Sequence, residues 1–144
     1  MLSEKIILIT GVGGGIGSVL ADYFETKVKC LITASRTHRE AKNGEHFPLD
    51  LSTEKNIVSL FQDVAQKYGK IDSVVNTVGG SLYSHRIEDF PINEFDEIFN
   101  INLRNAFILT REAIKLMKMN DPRSGTIIHY VSSSAKKIST NKAP

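Results

Sequence analysis

The run Thr10-Gly11-Val12-Gly13-Gly14-Gly15-Ile16-Gly17 places five glycines in eight residues. It follows the apolar stretch Ile6-Ile7-Leu8-Ile9 and precedes a segment of helical period. A pyrophosphate suits such a junction. Unpaired N–H groups at a helix N-terminus favour negative charge, and glycine lets backbone approach the ligand closely. The G-x-G-x-x-G spacing does not fit from Gly11, since it would require glycine at Ile16, whereas T-G-x-x-x-G-x-G fits through Gly11, Gly15 and Gly17. A glycine-rich turn without a ligand is the competing reading, and the strand-then-helix context favours the phosphate loop. About 20 residues further on, dinucleotide sites carry an acid for the ribose 2′-hydroxyl of NAD or an Arg for the 2′-phosphate of NADP. Here the chain reads Ala34-Ser35-Arg36-Thr37, with Arg39 close by and no acid before Glu40. The expected ligand is therefore NADP(H) in preference to NAD, bordered by Thr10, Gly11, Gly15, Ile16, Gly17, Ser35 and Arg36. A solvated charged loop is the alternative for the Arg36 segment.

Short apolar runs alternating with helix-period segments must position these residues. Ile16, Val19, Leu20, Tyr23 and Phe24 recur at helical spacing and predict a core-facing stripe. Residues 28–34 predict a second strand, and His46-Phe47-Pro48-Leu49 a short third one, placed by its Pro at a sheet edge. Ile57, Leu60, Phe61, Val64, Ala65 and Tyr68 mark a helix ended by Gly69. Residues 73–78 predict the fourth strand and 126–131 the fifth. Between them, Asn93 is expected to cap a long helix bearing Phe95, Ile98, Phe99, Leu103, Ala106, Leu109 and Ala113 on one side. Asp96 and Glu97 would complement the dipole in its first turn. Strand–helix alternation of this kind predicts an α/β fold, a doubly wound Rossmann-type parallel sheet with about five strands, and ligands at the carboxyl ends of the strands. Residues 1–144 read as one dinucleotide-binding domain.

Five motifs in order resemble the short-chain dehydrogenase/reductase family, in its single-domain branch. They are Thr10-Gly11-x-x-x-Gly15-Ile16-Gly17; Asp50-Leu51 after the third strand; Asn76-Thr77-Val78-Gly79; Asn102 within Asn100-Ile101-Asn102-Leu103; and Gly125-Thr126-Ile127-Ile128 leading to Ser132-Ser133-Ser134. Thr77 and Val78 depart from the family's N-N-A-G signature. Gly11, Gly14 and Gly17 also permit the T-G-x-x-G-x-x-G spacing of the two-domain branch, against which the Asn76 signature and Asn102 argue. The resemblance implies that Asp50 and Leu51 border the adenine, and that Asn76 clamps structure near the cofactor together with Gly79. It further implies that Asn102 bends its helix and holds a water in a proton relay, and that Ser132, with Ser133 second, orients the carbonyl. Asn102 could instead satisfy a backbone group, and three serines at a strand end could be a turn.

Reduction of a carbonyl also needs a proton donor, a role the family gives to a Tyr with a Lys four residues later. Counting from Ser132 places that Tyr just past Pro144, so the chain is expected to end short of it and to have little activity by itself. Tyr23 and Lys27 form a Y-x-x-x-K pair at the far end of the first helix, a decoy by position. The resemblance implies further strands that are missing at the C-terminus.

Composition narrows the rest. Eighteen Lys+Arg against 16 Asp+Glu give a net charge of +2, spread along the chain rather than clustered, which excludes a nucleic-acid signature. One cysteine, Cys30, cannot form an internal disulfide and reads as a reduced, buried thiol. His38, His46, His85 and His129 lack metal-ligand spacing, and His129 reads as a structural residue of the fifth strand. No apolar run reaches bilayer length, and the N-terminus does not read as a signal peptide, so no membrane partner and a cytoplasmic location are expected. The leading reading is the N-terminal cofactor-binding part of an NADP(H)-dependent oxidoreductase acting on a small carbonyl or alcohol, and the resemblance implies a homo-oligomer formed through the long helix. The alternatives are a non-catalytic nucleotide-binding or interaction module ending naturally at 144, and an enzyme completed by a second chain.

Overall fold

A computed structural model of the chain describes residues 1–81 and 83–132. The unbroken apolar run at 6–9 becomes the central strand, β1 (Ile6–Thr10), with all five residues buried. Burial on both faces requires neighbours on both edges. β2 (Cys30–Ser35) pairs on one side and β4 (Ser73–Asn76) on the other, with Ile9 opposite Thr33 and Val75. β3 (Gly44–Pro48) and β5 (Thr126–His129) complete a fully parallel sheet of order β3-β2-β1-β4-β5. Pro48 ends the edge strand β3, where its missing N–H costs no ladder bond. Because the chain leaves β1 toward β2 and later returns to β4, a crevice opens beside the carboxyl end of β1, the switch point at which such sheets bind ligands.

Two layers cover the sheet. On one face α2 (Glu54–Tyr68) and α4 (Asn105–Met117) bury Ile57, Leu60, Val64, Leu109 and Ala113 against Leu8, Ile32 and Val74. Each large aliphatic side chain so buried contributes about 1.5–3 kcal/mol. Thr53 caps α2 by accepting the Asn56 N–H at 3.3 Å, and Gly69, at φ +69°, ends it in the left-handed conformation. On the other face α1 (Gly15–Phe24) covers a smaller cluster of Ile7, Ile9, Val12, Ala21, Val28, Leu31 and Val75. Cys30 is half-buried at the start of β2, and burial pushes its thiol pKa up. No described helix is long and apolar enough to cross a membrane.

Two sequence expectations are corrected. α1 does not dock through Ile16, Val19 and Tyr23, which are 53%, 66% and 57% exposed; it docks through Gly17 and Ala21, with Leu20 and Phe24 packed beside them. The helix lies too close to the loop below it for a bulky residue at Gly17, so small size rather than hydrophobicity marks the buried face. Asn93 does not cap the long helix either. The extended Pro91 (ψ 134°) supplies the first carbonyl, accepting from Glu94 and Phe95 N–H at 3.1 Å each. α3 (Ile92–Phe99) therefore starts one residue before Asn93, and Glu94 rather than Asp96 or Glu97 lies in its first turn. A π-helical turn over Asn100–Arg104 then interrupts what the sequence presents as one helix, before α4 begins.

Candidate functional site

At the carboxyl end of β1 the backbone turns sharply into α1. The Gly11 N–H donates to the Ala34 carbonyl at 2.8 Å, and Gly11 sits at φ +81°. A Cβ there would lie 2.7 Å from Thr77 Oγ1 and 2.9 Å from the Val78 nitrogen. A Cβ on Gly17 would run into the Gly11 carbonyl and lie 2.7 Å from Thr77 Oγ1. These two glycines thus close the loop against α1 and the chain after β4. Gly15 differs, because a Cβ there meets nothing within 4 Å. It opens the first turn of α1, whose N-cap Gly14 supplies no side-chain cap. The N–H groups of that first turn have no intrahelical acceptor and remain available to an anion.

The wall of the loop is the segment after β4. Asn76, 3% exposed, accepts through Oδ1 from the Thr10 hydroxyl at 2.8 Å and the Val78 N–H at 3.1 Å. Thr77 donates its hydroxyl (2.7 Å) and its N–H (3.1 Å) to the Thr10 carbonyl. Thr77, one of the two residues that depart from the family signature, thus fastens β4 to the end of β1. Gly79 follows at φ +146°. Asn102, in the π turn, pairs both ways with Gly80: its Nδ2 donates to the Gly80 carbonyl and its Oδ1 accepts the Gly80 N–H, each at 2.9 Å. Asn102 therefore satisfies a backbone group, the structural alternative left open by the sequence, while standing in the one irregular turn of the long helix.

Beside the loop, at the end of β2, Ser35 is buried and donates its hydroxyl to the Thr37 carbonyl at 2.7 Å. Thr37 in turn lies against Gly13, 3.2 Å from a Cβ there. Arg39 is engaged by Asp22 at 2.8 Å and Glu25 at 3.3 Å. Arg36 is exposed and makes no hydrogen bond or ion pair among the described residues, so its charge is available. Asp50 is exposed, with Oδ1 accepting the Ser52 N–H at 3.0 Å; Leu51 is buried and its carbonyl accepts from Asn105 Nδ2. Ile16 is exposed at the mouth of the loop. Ser132 is exposed just beyond β5, and Ser133 lies outside the described residues.

The structure thus brings Thr10, Gly11, Gly17, Asn76, Gly79 and Asn102 into one contact network, with Ser35 joined to it through Thr37. Sequence reasoning missed Thr77 and Asn105. Thr77 looked like a departure, whereas its β-branched hydroxyl beside a strand end is a donor within reach of backbone. Asn105 looked like one more polar helix residue, whereas its place four residues before Leu109 puts it on the buried face. Between Gly80 and α3, Tyr83 donates to Glu97 at 2.7 Å, which raises its phenol pKa, and His85 meets Glu94 at 2.7 Å. Among the described residues no group of three or more His, Cys, Asp or Glu side chains could hold a metal ion.

A parallel sheet of this order, with a glycine loop at its switch point, defines a doubly wound nucleotide-binding fold. The chain belongs to the short chain dehydrogenase family, whose model matches residues 5–144. It is 29% identical, over 140 residues, to a 3beta-hydroxysteroid dehydrogenase of Mediterraneibacter gnavus, covering 90% of this chain and 50% of that protein. The ligand-free aldohexose dehydrogenase of Thermoplasma acidophilum superposes with a TM-score of 0.87 at 26% identity, over 98% of this chain and 54% of that one. A short chain dehydrogenase of Leptospira borgpetersenii with bound NAD+ has a TM-score of 0.85 at 24% identity, over 96% of this chain and 55% of that one; at that identity it speaks for the fold alone. The chain therefore spans about half the length of these relatives.

Proposed function

We propose that this chain is the cofactor-binding part of an NADP(H)-dependent oxidoreductase that interconverts a small carbonyl and its alcohol. The observation that carries the reading is the contrast within the glycine loop. Gly11 and Gly17 are closed against protein, while Gly15 faces open space at an uncapped helix N-terminus. That is a cradle a Cβ would obstruct, and it fits a pyrophosphate. The dinucleotide, when bound, supplies or accepts the hydride. The protein's part is to hold it. The first-turn N–H groups of α1 take the phosphates, Asp50 and Leu51 border the adenine, and Ser35 and Arg36 receive the ribose end. Asn76 and Gly79 keep the opposite wall in place, and Ser132 and Asn102 stand on the substrate side.

Arg36 decides between the two dinucleotides. With Arg39 engaged by Asp22 and Glu25, Arg36 is the exposed arginine at the end of β2 that can meet a 2′-phosphate, and no carboxylate stands before Glu40 to receive a 2′-hydroxyl. Titrating NADP and NAD against the wild type and Arg36→Ala tests this. The substitution should weaken NADP about 10- to 100-fold, the loss of one charge-assisted contact, and leave NAD nearly unchanged. Equal effects on both cofactors, or none on NADP, would remove the 2′-phosphate assignment.

Phe99, Leu103 and Phe107, at i, i+4 and i+8, are 41%, 62% and 64% exposed and form an apolar stripe along the outer side of the π turn, with Asp96, Asn100 and Arg104 at its margin. Such a stripe on a helix otherwise packed into the core is the surface through which two copies associate. Sedimentation should show a dimer for the wild type and a monomer for Leu103→Glu/Phe107→Glu. A wild type that stays monomeric across the accessible concentration range would refute the pairing.

A further inference from the structure

His129 is absorbed by none of the roles above. It ends β5 with both ring nitrogens engaged: Nδ1 lies 3.3 Å from Asn76 Nδ2, and Nε2 lies 2.8 Å from Thr110 Oγ1. The protonation of the ring follows from its neighbours, working inward from either end. On one side the Val78 N–H can only donate, so the Asn76 atom it meets at 3.1 Å is the carboxamide oxygen, and the amide NH2 faces His129. Nδ1 must then accept. On the other side the Ala106 carbonyl can only accept, so the Thr110 hydroxyl spends its single proton on it, at 2.7 Å. The same hydroxyl oxygen must then accept from Nε2. Both ends give the same answer: a neutral imidazole with its proton on Nε2. The bonds run in one direction, from the Asn76 NH2 through His129 and Thr110 to the Ala106 carbonyl of α4.

We infer that His129 is a positioning residue that holds the Asn76 carboxamide the right way round, with its oxygen toward Thr10 and Val78. Turned over, Asn76 would present its NH2 to the Val78 N–H, donor against donor, and would release the first residue of the wall that Gly79, Gly80 and Asn102 continue. The lone pair on Nδ1 rewards only the correct orientation, and the contact with Thr110 keeps that lone pair free of a proton. His129 thus ties α4, at the residues following the π turn, to the wall of the glycine loop. Its consequence for ligand affinity rests on reading that loop as the dinucleotide site, whereas its geometry does not.

Nitrogen-15 spectra of the imidazole at neutral pH test the inference without a ligand and without a mutation. The expected result is a single Nε2–H tautomer for His129. A predominant Nδ1–H form, or the even tautomer mixture of a solvated ring, would overturn it. Amide exchange at Val78 provides the second measurement. Thr110→Val, which removes one hydroxyl at constant shape, should leave β1 and β2 protected, give His129 mixed tautomers and speed Val78 exchange about tenfold, the loss of roughly one hydrogen bond. His129→Phe should speed it at least as much. His129→Asn, whose carboxamide oxygen can occupy the place of Nδ1, should restore protection at Val78. Val78 exchange that ignores all three substitutions, or an asparagine variant that folds without restoring it, would refute the positioning role. If instead the spectra and exchange behave as expected but no dinucleotide binds, the assignment of the loop fails and the role of His129 stands.

Discussion

Gly17→Ala is expected to destabilise the fold by about 2–3 kcal/mol, although alanine in an ordinary helix position would stabilise it by about 0.5–1 kcal/mol. The added methyl would run into the Gly11 carbonyl and sit 2.7 Å from Thr77 Oγ1, and none of these atoms is the free end of a flexible side chain. Either α1 lifts off the sheet, exposing Ala21 and Val12, or the Gly11 turn breaks its bond to Ala34. Overpacking of this kind carries penalties of about 1–3 kcal/mol. Gly15→Ala, two residues away, should behave in the opposite way. Its methyl meets nothing within 4 Å, so the midpoint of urea unfolding should hold or rise, while dinucleotide affinity falls on the order of tenfold or more because the close approach of phosphate to backbone is lost. Urea titration and dinucleotide titration of the two variants, side by side, separate the glycine needed for packing from the one left open for a ligand. If both lost stability equally, the division of roles within the loop would be wrong.

Asn76→Leu should be the most damaging single change among the polar residues, at about 3 kcal/mol. The side chain is 3% exposed and serves three partners: the Thr10 hydroxyl, the Val78 N–H and His129 Nδ1. A leucine, with the same branched skeleton but no polar atom, would leave all three without this partner; the buried Thr10 hydroxyl costs about 1–3 kcal/mol and the half-buried Val78 N–H and His129 nitrogen less. Thr77→Ala, which removes one side-chain bond to a carbonyl that keeps its backbone partner, should cost only about 1 kcal/mol. Chemical denaturation of the pair checks the ratio. An Asn76→Leu variant no less stable than Thr77→Ala would show that the network contributes only pairwise.

The elements most visible in the sequence are those whose residues have one physical solution. The unbroken run at 6–9 had to be a doubly buried strand. Pro48 had to lie at an edge, and Gly69 had to end a helix. The doubly wound parallel sheet followed from alternation and crossover handedness, and the glycine loop from its place between a strand and a helix. Where burial depends on distance rather than polarity, sequence reasoning went astray. Ile16, Val19 and Tyr23 formed a convincing stripe, yet α1 approaches the loop so closely that only Gly17 and Ala21 fit beneath it. The start of α3 was misplaced because a carbonyl, not a side chain, performs the first capping step, and any residue has a carbonyl. The polar network was half legible: Asn76 and Asn102 stood out by motif. Thr77, Asn105 and His129 act through partners some 20 to 70 residues away in sequence, and no local pattern announces such a pairing.

The π turn at Asn100–Arg104 has one more implication for how the long helix works. A turn closed by i→i+5 bonds holds one residue more than an α turn. Both flanking segments bury apolar side chains, Ile98 before the widening and Ile108, Leu109 and Leu116 after it, the last three in the core beneath the sheet. Along this helix, residue count and rotational phase are thereby uncoupled. The surplus is taken up sideways, in the turn that sets Asn102 against Gly80, and the core on either side is spared it. One rod can then satisfy two surfaces with incompatible periods: a packed core that demands regular spacing, and a loop wall that demands a side chain out of step.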